Sequence, residues 1–355
     1  MNPLLAVAEA LREAAPGIEL RFVGGRRGLE ADLAGKAGIP FHATPLPSLR
    51  DPDSRLALVA HLLLVPVAAA DALIQIARFR PRVCLTSGGF GAVPVLLAAR
   101  VAGVPVYLWE GNAIAGRVNR TLAGWSTRVG ATFEASLRSL PRGRTRVSGN
   151  PIRRSLLRWT KPAGRVALGL PAGLPVVLVT GGSQGAERIN SALFAALSRL
   201  VRGAAIVHHT GPAHIARAQA QRALLPEADR PRYQPHGYLH DEMGAALAAA
   251  DLVVGRAGSS SIAEPLAFGT PLVLIPFGAA MNGHQAANAR AVADGGAATV
   301  VMESELDGDR LAAVVVGLLG DPERLRRMAA AAREMGRPDA ATAIALDVLR
   351  LGGCA

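Results

Sequence analysis

The chain has 355 residues, half of them hydrophobic and 4% aromatic, with 39 glycines and 24 prolines, a balance that fits an α/β protein of many short connections and not a coiled coil or a disordered chain. Its net charge of +12 is nearly all arginine, since Lys36 and Lys161 are the only lysines, and no helix-turn-helix or aromatic stacking signature accompanies it, so nucleic acid is not an expected partner. Cys84 and Cys354 make no metal-ligand spacing and suit a reducing, cytoplasmic setting, no secretory signal opens the chain, and the longest apolar run, 56–76, is broken by His61, Pro66, Asp71 and Gln75, leaving no piece long enough to span a bilayer.

In chain order the pattern predicts a helix over 3–14, a strand over 20–23, a helix over 29–37 and a long helix over 56–77. Short strands follow at 83–86 and 104–109, separated by a small-residue helix over 93–102, which is the βαβ rhythm of a parallel sheet. From Arg117 to Arg165 twelve Arg or Lys stand against the single acidic Glu134. That block is either a solvated face or one that meets an anionic surface. Around Gly149-Asn150-Pro151 the rhythm breaks, and Pro162, Gly164, Pro171, Gly173 and Pro175 crowd the approach to the next strand. The boundary is expected there, giving an N-terminal domain over 1–150, a C-terminal domain over 151–335 and a final helix in 336–355 packing back on the first domain. The second half restarts with strands at 176–180, 205–209, 252–255, 272–276 and 298–301. Two α/β halves result, and open α/β sheets bind ligands at the carboxyl ends of their strands.

Three loops carry candidate chemistry. After strand 176–180 comes Gly181-Gly182-Ser183-Gln184-Gly185, then a sequence able to start a helix. It is neither G-x-G-x-x-G nor a P-loop, and it serves either as a tight turn or as a cradle of backbone N–H groups for a diphosphate. After strand 252–255 comes Arg256-Ala257-Gly258-Ser259-Ser260-Ser261-Ile262-Ala263-Glu264. Here a cation, three hydroxyls and backbone N–H groups suit phosphates, and Glu264, inside the following helix, suits the two hydroxyls of a ribose. Capping of the helix by serine accounts for one or two hydroxyls but not for Arg256 and Glu264 together. The third is the loop 278–283 followed by His284, Gln285 and Asn288, whose side chains share or flank one helix face and suit sugar hydroxyls or simple decoration of a helix start.

Together with Ser87-Gly88-Gly89-Phe90, Glu110-Gly111-Asn112 with Asn119 downstream, and Gly149-Asn150-Pro151-Ile152-Arg153, these loops stand in the order found in the family 28 glycosyltransferases. The chain resembles that family over nearly its whole length, and within it the bacterial lipid II synthases. The resemblance implies two Rossmann-like domains facing a cleft (GT-B) and inverting transfer of N-acetylglucosamine from UDP-N-acetylglucosamine to the 4-hydroxyl of the muramoyl sugar of undecaprenyl-linked lipid I. It implies that Ser183, Gln184 and Gly185 hold the diphosphate, that Arg153 approaches the donor from the linker, and that Arg256 is among the donor-binding residues. Ser259, Ser260, Ser261, Ile262, Ala263 and Glu264 would line the nucleotide, with the Leu239 backbone meeting the uracil. Gln285 would meet the sugar and Asn112 the donor. Gly88, Gly89 and Asn119 fall on the acceptor side, and Glu110 is a candidate base or a structural carboxylate. No Asp-x-Asp pair precedes the donor loop, so the expected chemistry uses no metal and no cofactor. A lipid-linked acceptor implies peripheral attachment to an anionic inner-membrane surface on its cytoplasmic face, through the helix over 56–76 and the arginine-rich stretch from Arg117.

The chain departs from the family at its start. The strand, glycine-rich loop and loop histidine that open family members have no counterpart ahead of Met1-Asn2-Pro3, and the expectation is a start codon displaced into the gene. A Rossmann-like sheet lacking that strand is expected to leave a gap with an unpaired edge on each side. Phe90 also replaces the family's common tyrosine, keeping the ring without the hydroxyl. Two rival functions share the architecture: a UDP-sugar 2-epimerase, which needs no lipid acceptor, and a non-catalytic UDP-sugar-binding protein.

Overall fold

The computed structural model describes residues 2–25, 30–45, 55–278, 280 and 283–354, with side chains for all of these except 2 and 55–62. Met1, Leu29 and, in the loop read as 278–283, Ala279, Met281 and Asn282 lie outside the described residues. The chain forms two compact units, Met1–Arg153 with Asp339–Ala355, and Arg154–Pro338.

The first unit runs α1 (Asn2–Ala14), β1 (Phe22–Gly25), α2 (Glu30–Lys36), β2 (Phe41–Thr44), α3 (Arg55–Phe79), β3 (Cys84–Thr86), α4 (Val93–Val101), β4 (Val106–Glu110), α5 (Arg117–Trp125), β5 (Arg128–Ala131) and β6 (Thr145–Val147). The second runs α6 (Arg154–Leu157), α7 (Lys161–Ala167), β7 (Val176–Thr180), α8 (Glu187–Leu200), β8 (Ala205–His209), α9 (Ile215–Leu224), β9 (Tyr233–His236), α10 (Glu242–Ala249), β10 (Leu252–Gly255), α11 (Ser259–Ala267), β11 (Leu272–Leu274), α12 (His284–Asp294), β12 (Ala298–Val300), α13 (Gly308–Leu319) and α14 (Pro322–Met335). The chain then returns to the first unit as α15 (Ala340–Leu351).

In the second unit all six strands are parallel, in the order β9-β8-β7-β10-β11-β12. Numbered from β7, that is 3-2-1-4-5-6, the dinucleotide-binding order, whose switch point lies between β7 and β10. The near-continuous Val and Leu of β7 follow from burial on both faces, as parallel strands require, and Val176, Val177, Leu178 and Val179 are all buried. Helix α8 covers one face with Ile189, Leu193, Ala196, Leu197 and Leu200, an apolar stripe of helical period. Each large aliphatic side chain buried in this way contributes about 1.5–3 kcal/mol.

In the first unit the strands are again parallel but fall into two pieces, β2-β1 and β3-β4-β5-β6. Between β1 and β3 lies a cavity of about 700 Å³ lined by both. Helices α1 and α15 pack on one side, Ala6, Val7, Ala10 and Leu11 meeting Ile344, Ala345, Val348 and Leu349 over Tyr107 and Trp109 of β4. Helix α3 contributes Ala72 and Ile76 to a core with Leu96, Ala99 and Leu108. Its other face leaves Leu63, Val67, Leu73 and Ile74 exposed.

The strands over 176–180, 205–209 and 252–255 have the bounds their β-branched runs predict, whereas β1 starts two residues later than expected and ends in Gly24 and Gly25. Strands β2, β5, β6 and β9 were not foreseen. They are three or four residues long, and β9 contains Pro235, tolerated because β9 is the sheet edge.

Candidate functional site

Thr180 at the end of β7 pairs in register with Gly255 at the end of β10, so the two glycine-containing loops leave the second sheet side by side at its switch point. The three glycines of the β7 loop are required for different reasons. A Cβ on Gly181 would lie 2.2 Å from the Ala186 nitrogen; Gly182 has open space but φ of +82°; Gly185 combines φ of +78° with a Thr210 carbonyl oxygen 2.1 Å from its would-be Cβ. Only glycine tolerates such turns without strain. Gly182 N–H donates to Thr180 Oγ1 and Gly185 N–H to the Gly182 carbonyl, which closes the loop. The N–H groups of Ser183, Gln184 and Ala186 make no hydrogen bond among the described residues. Helix α8 has Ala186 at its N-cap and no side-chain cap, whereas α7, α13 and α14 are capped by Thr160, Asp307 and Asp321. Open amides and the positive end of a helix dipole therefore converge where an anion is stabilised.

Helix α11 likewise starts at an uncapped Gly258, with Ser259, Ser260 and Ser261 in its first turn. Ile262 anchors that turn in the core, Ala263 and Glu264 are half-buried, and Glu264 lies about one and a half turns in. Asn288 of α12 is buried and donates to the Ala257 carbonyl at 3.1 Å, tying α12 to this loop.

Arg256 is held by partners from beyond its own loop. Its guanidinium pairs with Glu303 at 2.5 Å, donates to the Ile275 carbonyl and lies 5.1 Å from the Phe277 ring centre. Glu303 also accepts the Gly278 N–H at 2.9 Å. Burial opposes ionisation of Glu303, but the Gly278 N–H and Arg256 outweigh it and hold its carboxyl below the usual value. Arg256 and Glu303 together brace the turn after β11. Gln285 braces the same turn, its Oε1 accepting the Phe277 N–H at 2.9 Å.

Five side chains that the sequence reading missed support the β7 loop. His209 Nδ1 meets Thr180 Oγ1 at 3.2 Å, while the ring packs edge-on against Tyr238, the neighbour of the buried Leu239. Behind it, His208 Nδ1 lies 2.8 Å from Tyr233 Oη and Nε2 lies 3.1 Å from Asn190 Oδ1; Asn190 Nδ2 donates to the Thr210 carbonyl. An amide oxygen only accepts, so His208 carries its proton on Nε2 and accepts the Tyr233 hydroxyl. The only sequence signal was His208-His209-Thr210 closing an apolar strand.

In the first unit, Glu110 is almost fully buried, with 1% exposure. Its carboxylate accepts the Asn112 N–H and Nδ2, the Gly116 N–H at 3.3 Å and Asn119 Nδ2 at 2.8 Å. Asn119 Oδ1 in turn accepts the Gly89 N–H at 2.7 Å, and a Cβ on Gly88 would strike that oxygen at 2.0 Å. A carboxylate with four donors around it and almost no exposure holds the Asn112 and Ser87-Gly88-Gly89 turns together. Arg153 ends this unit, and its charge reaches Glu9 on α1, where burial raises the carboxyl and Arg153 opposes the rise.

Comparison with known proteins agrees with this geometry. Residues 1–131 match the glycosyltransferase family 28 N-terminal domain, and residues 176–344 match the glycosyltransferase family 28 C-terminal domain. A relative from Moorella thermoacetica is 39% identical over 98% of this chain and 95% of its own, and one from Salinibacter ruber is 38% identical over 98% and 93%; both are named UDP-N-acetylglucosamine–N-acetylmuramyl-(pentapeptide) pyrophosphoryl-undecaprenol N-acetylglucosamine transferase. Among solved structures, Acinetobacter baumannii MurG superposes with a TM-score of 0.78 at 26% identity, covering 98% of this chain and 95% of that one. The UDP-GlcNAc 2-epimerase of Neisseria meningitidis, at 15% identity and a TM-score of 0.66 over 98% and 96%, shares the fold alone. With both domain models matched in order and relatives this similar end to end, the chain belongs to glycosyltransferase family 28.

Proposed function

We propose that this enzyme transfers N-acetylglucosamine from UDP-N-acetylglucosamine to the muramoyl 4-hydroxyl of undecaprenyl-diphosphate-linked lipid I, with inversion, forming lipid II for peptidoglycan. The observation that carries this reading is the pair of uncapped helix starts, α8 and α11, beside one another at the switch point of the second sheet.

The acceptor hydroxyl attacks the anomeric carbon, the bond from that carbon to the diphosphate oxygen breaks, and the hydroxyl proton passes to a base. The departing UDP gains negative charge, and preorganised dipoles aimed at that charge lower the barrier most. In this chain the N–H groups of Ser183, Gln184 and Ala186, the Ser183 hydroxyl and Arg153 serve the diphosphate. Gly185 gives the loop its shape. Ser259, Ser260, Ser261, Ile262 and Ala263 line the nucleotide, Glu264 accepts from the ribose hydroxyls, and the Leu239 backbone meets the uracil. The Gln285 amide nitrogen and Asn112 contact the sugar. Gly88, Gly89 and Asn119 shape the acceptor side. No metal is assigned a role, and turnover is expected to persist in EDTA.

The lipid-linked acceptor draws the enzyme to the cytoplasmic face of an anionic inner membrane. Among the described residues no helix is long and apolar enough to cross a membrane. The exposed Leu63, Val67 and Ile74 line up on α3 at helical spacing, with exposed Arg78 and Arg82 beyond them; such a face suits shallow insertion with electrostatic attraction.

Incubation of the full chain with radiolabelled UDP-N-acetylglucosamine and lipid I tests the reaction. Label in the lipid fraction as a disaccharide supports it. Conversion of the free nucleotide sugar without acceptor points to an epimerase, and binding of UDP-N-acetylglucosamine with no transfer points to a binding protein; either result rejects the proposal.

A further inference from the structure

The cradle of open amides at the start of α8 carries a carboxylate at its rim. Ala186, whose N–H is one of those amides, is followed at once by Glu187, the first residue of α8. Neighbouring Cα atoms stand about 3.8 Å apart, so the Glu187 carboxylate falls within about 10 Å of the cradle, the screening length at ordinary ionic strength. Its side chain is 54% exposed, yet it is fully engaged. Oε1 accepts the Ser191 hydroxyl and the Arg217 guanidinium, each at 2.7 Å, and Oε2 lies 3.2 Å from His214 Nδ1.

His214 joins this cluster to the loop itself. A Cβ on Gly185 would lie 3.1 Å from His214 Cδ2, and the His214 N–H donates to the Gly211 carbonyl. Arg217, on α9, is steadied by the Phe194 ring, whose centre lies 5.0 Å from its guanidinium carbon. On the other flank of the α8 start, Arg188 donates to the Glu303 carbonyl at 2.9 Å. The Ser191 hydroxyl first, with Arg217 and His214 after it, outweighs the effect of burial and holds the Glu187 carboxyl below its usual value. An ionised carboxylate in the first turn meets the positive end of the helix dipole, and here it also takes up the Arg217 charge. The rim therefore adds little net positive charge to the open amides.

On the transferase reading above, we propose that Glu187 is a specificity-determining residue that separates UDP-N-acetylglucosamine from UDP by charge. The sugar nucleotide carries its diphosphate as a diester, whereas UDP, the departing product, ends in a monoester phosphate with close to one further negative charge. A fixed carboxylate beside the cradle repels each ligand in proportion to that ligand's charge. It weakens UDP more than the donor, and the product leaves more readily. The neutral amides of the loop remain to meet charge as it develops in the transition state.

Calorimetric titration with UDP and with UDP-N-acetylglucosamine, at about pH 8 and low ionic strength, tests this on the full chain, on Glu187→Gln, on Arg217→Gln and on the double variant. Glu187→Gln keeps an oxygen for Ser191 and Arg217 and removes only the charge. It is expected to tighten UDP by about threefold or more and to raise the preference for UDP over the donor by about twofold or more. Arg217→Gln leaves the carboxylate unopposed and shifts both quantities the other way, the double variant returns toward the parent, and about 0.5 M salt shrinks every difference. A carboxylate that only stabilises the start of α8 would give the opposite sign, since its loss loosens the loop and weakens both ligands alike. Weaker or unchanged UDP binding in Glu187→Gln overturns the proposal, and so does an equal gain for both ligands. A parent chain that binds neither nucleotide overturns the transferase reading and the proposal with it.

Discussion

Thr180 and Gly255 face each other across β7 and β10, and a Cβ on Gly255 would come within 3.1 Å of the Thr180 carbonyl oxygen. This contact brings two phosphate-friendly loops to one point, and the loop geometry distinguishes its glycines. At Gly182 an alanine meets open space and only the positive φ, a strain of about 1–2 kcal/mol. At Gly185 it also strikes the Thr210 carbonyl, so the loop must move. Gly182→Ala is expected to keep UDP affinity within about fivefold, and Gly185→Ala to lose about tenfold or more. Calorimetric titration with UDP checks this, and equal losses would contradict the assigned roles.

Glu110 as a hub predicts a different outcome from Glu110 as a base. In Glu110→Gln the new NH₂ group faces donors on Asn112, Gly116 or Asn119, and leaving a buried donor unmatched costs about 1–3 kcal/mol. Thermal stability should fall while the residual activity keeps the shape of its pH–rate profile. Loss of one limb of that profile, with stability unchanged, would return Glu110 to the role of proton acceptor.

Arg256 and Glu303 form one unit with the turn after β11. Arg256→Ala leaves Glu303 without its cation, and Glu303→Gln leaves Arg256 without its anion, so each single change should be more damaging than the pair's net worth. The double variant is expected to be less destabilised than the sum of the singles, by about 1 kcal/mol or more. Strict additivity in denaturant unfolding would show the ion pair to be incidental.

The parallel α/β class and the two glycine-containing turns after β7 and β10 were legible because they rest on local signals: β-branched runs such as Val176-Val177-Leu178-Val179, and glycines at turns where the backbone admits nothing else. The partners of Arg256 and Glu110 were not. Arg256 is decided by Glu303, 47 residues away, and Glu110 by donors that only the fold of the following turn and α5 brings together. The His208–Tyr233 contact depends on strand pairing in the same way, and β9, with Pro235 inside it, gave no period-two pattern.

The apolar face of α3 makes membrane attachment testable apart from catalysis. Leu63 is 71% exposed and Ile74 50%, so replacing both by aspartate removes apolar area and adds charge without opening a core. Sedimentation with vesicles containing anionic lipid should show binding by the parent chain that weakens with salt. The Leu63→Asp, Ile74→Asp variant should stay in the supernatant while retaining UDP affinity. Salt-independent binding, or equal binding by the variant, would remove α3 from the membrane contact.

His208 couples the second unit to pH. Burial first, then the neighbouring His209, His214 and His236, push it from 6.5 down to about 3, so between those values the unfolded chain binds a proton that the folded chain refuses. Stability from this site is complete above pH 6.5 and is lost as pH falls toward 3, at roughly 1.4 kcal/mol per pH unit. His209 and His236 are also lowered, burial again being the largest cause, and act in the same direction. In His208→Gln the brace from Tyr233 to Asn190 is weakened, which costs about 1–3 kcal/mol at pH 7.5, but one of the refused protons is gone. Urea unfolding at pH 7.5 and 5.5 should therefore show a variant that starts less stable and loses less on acidification, and an unchanged pH slope would mean that His208 takes no part in it.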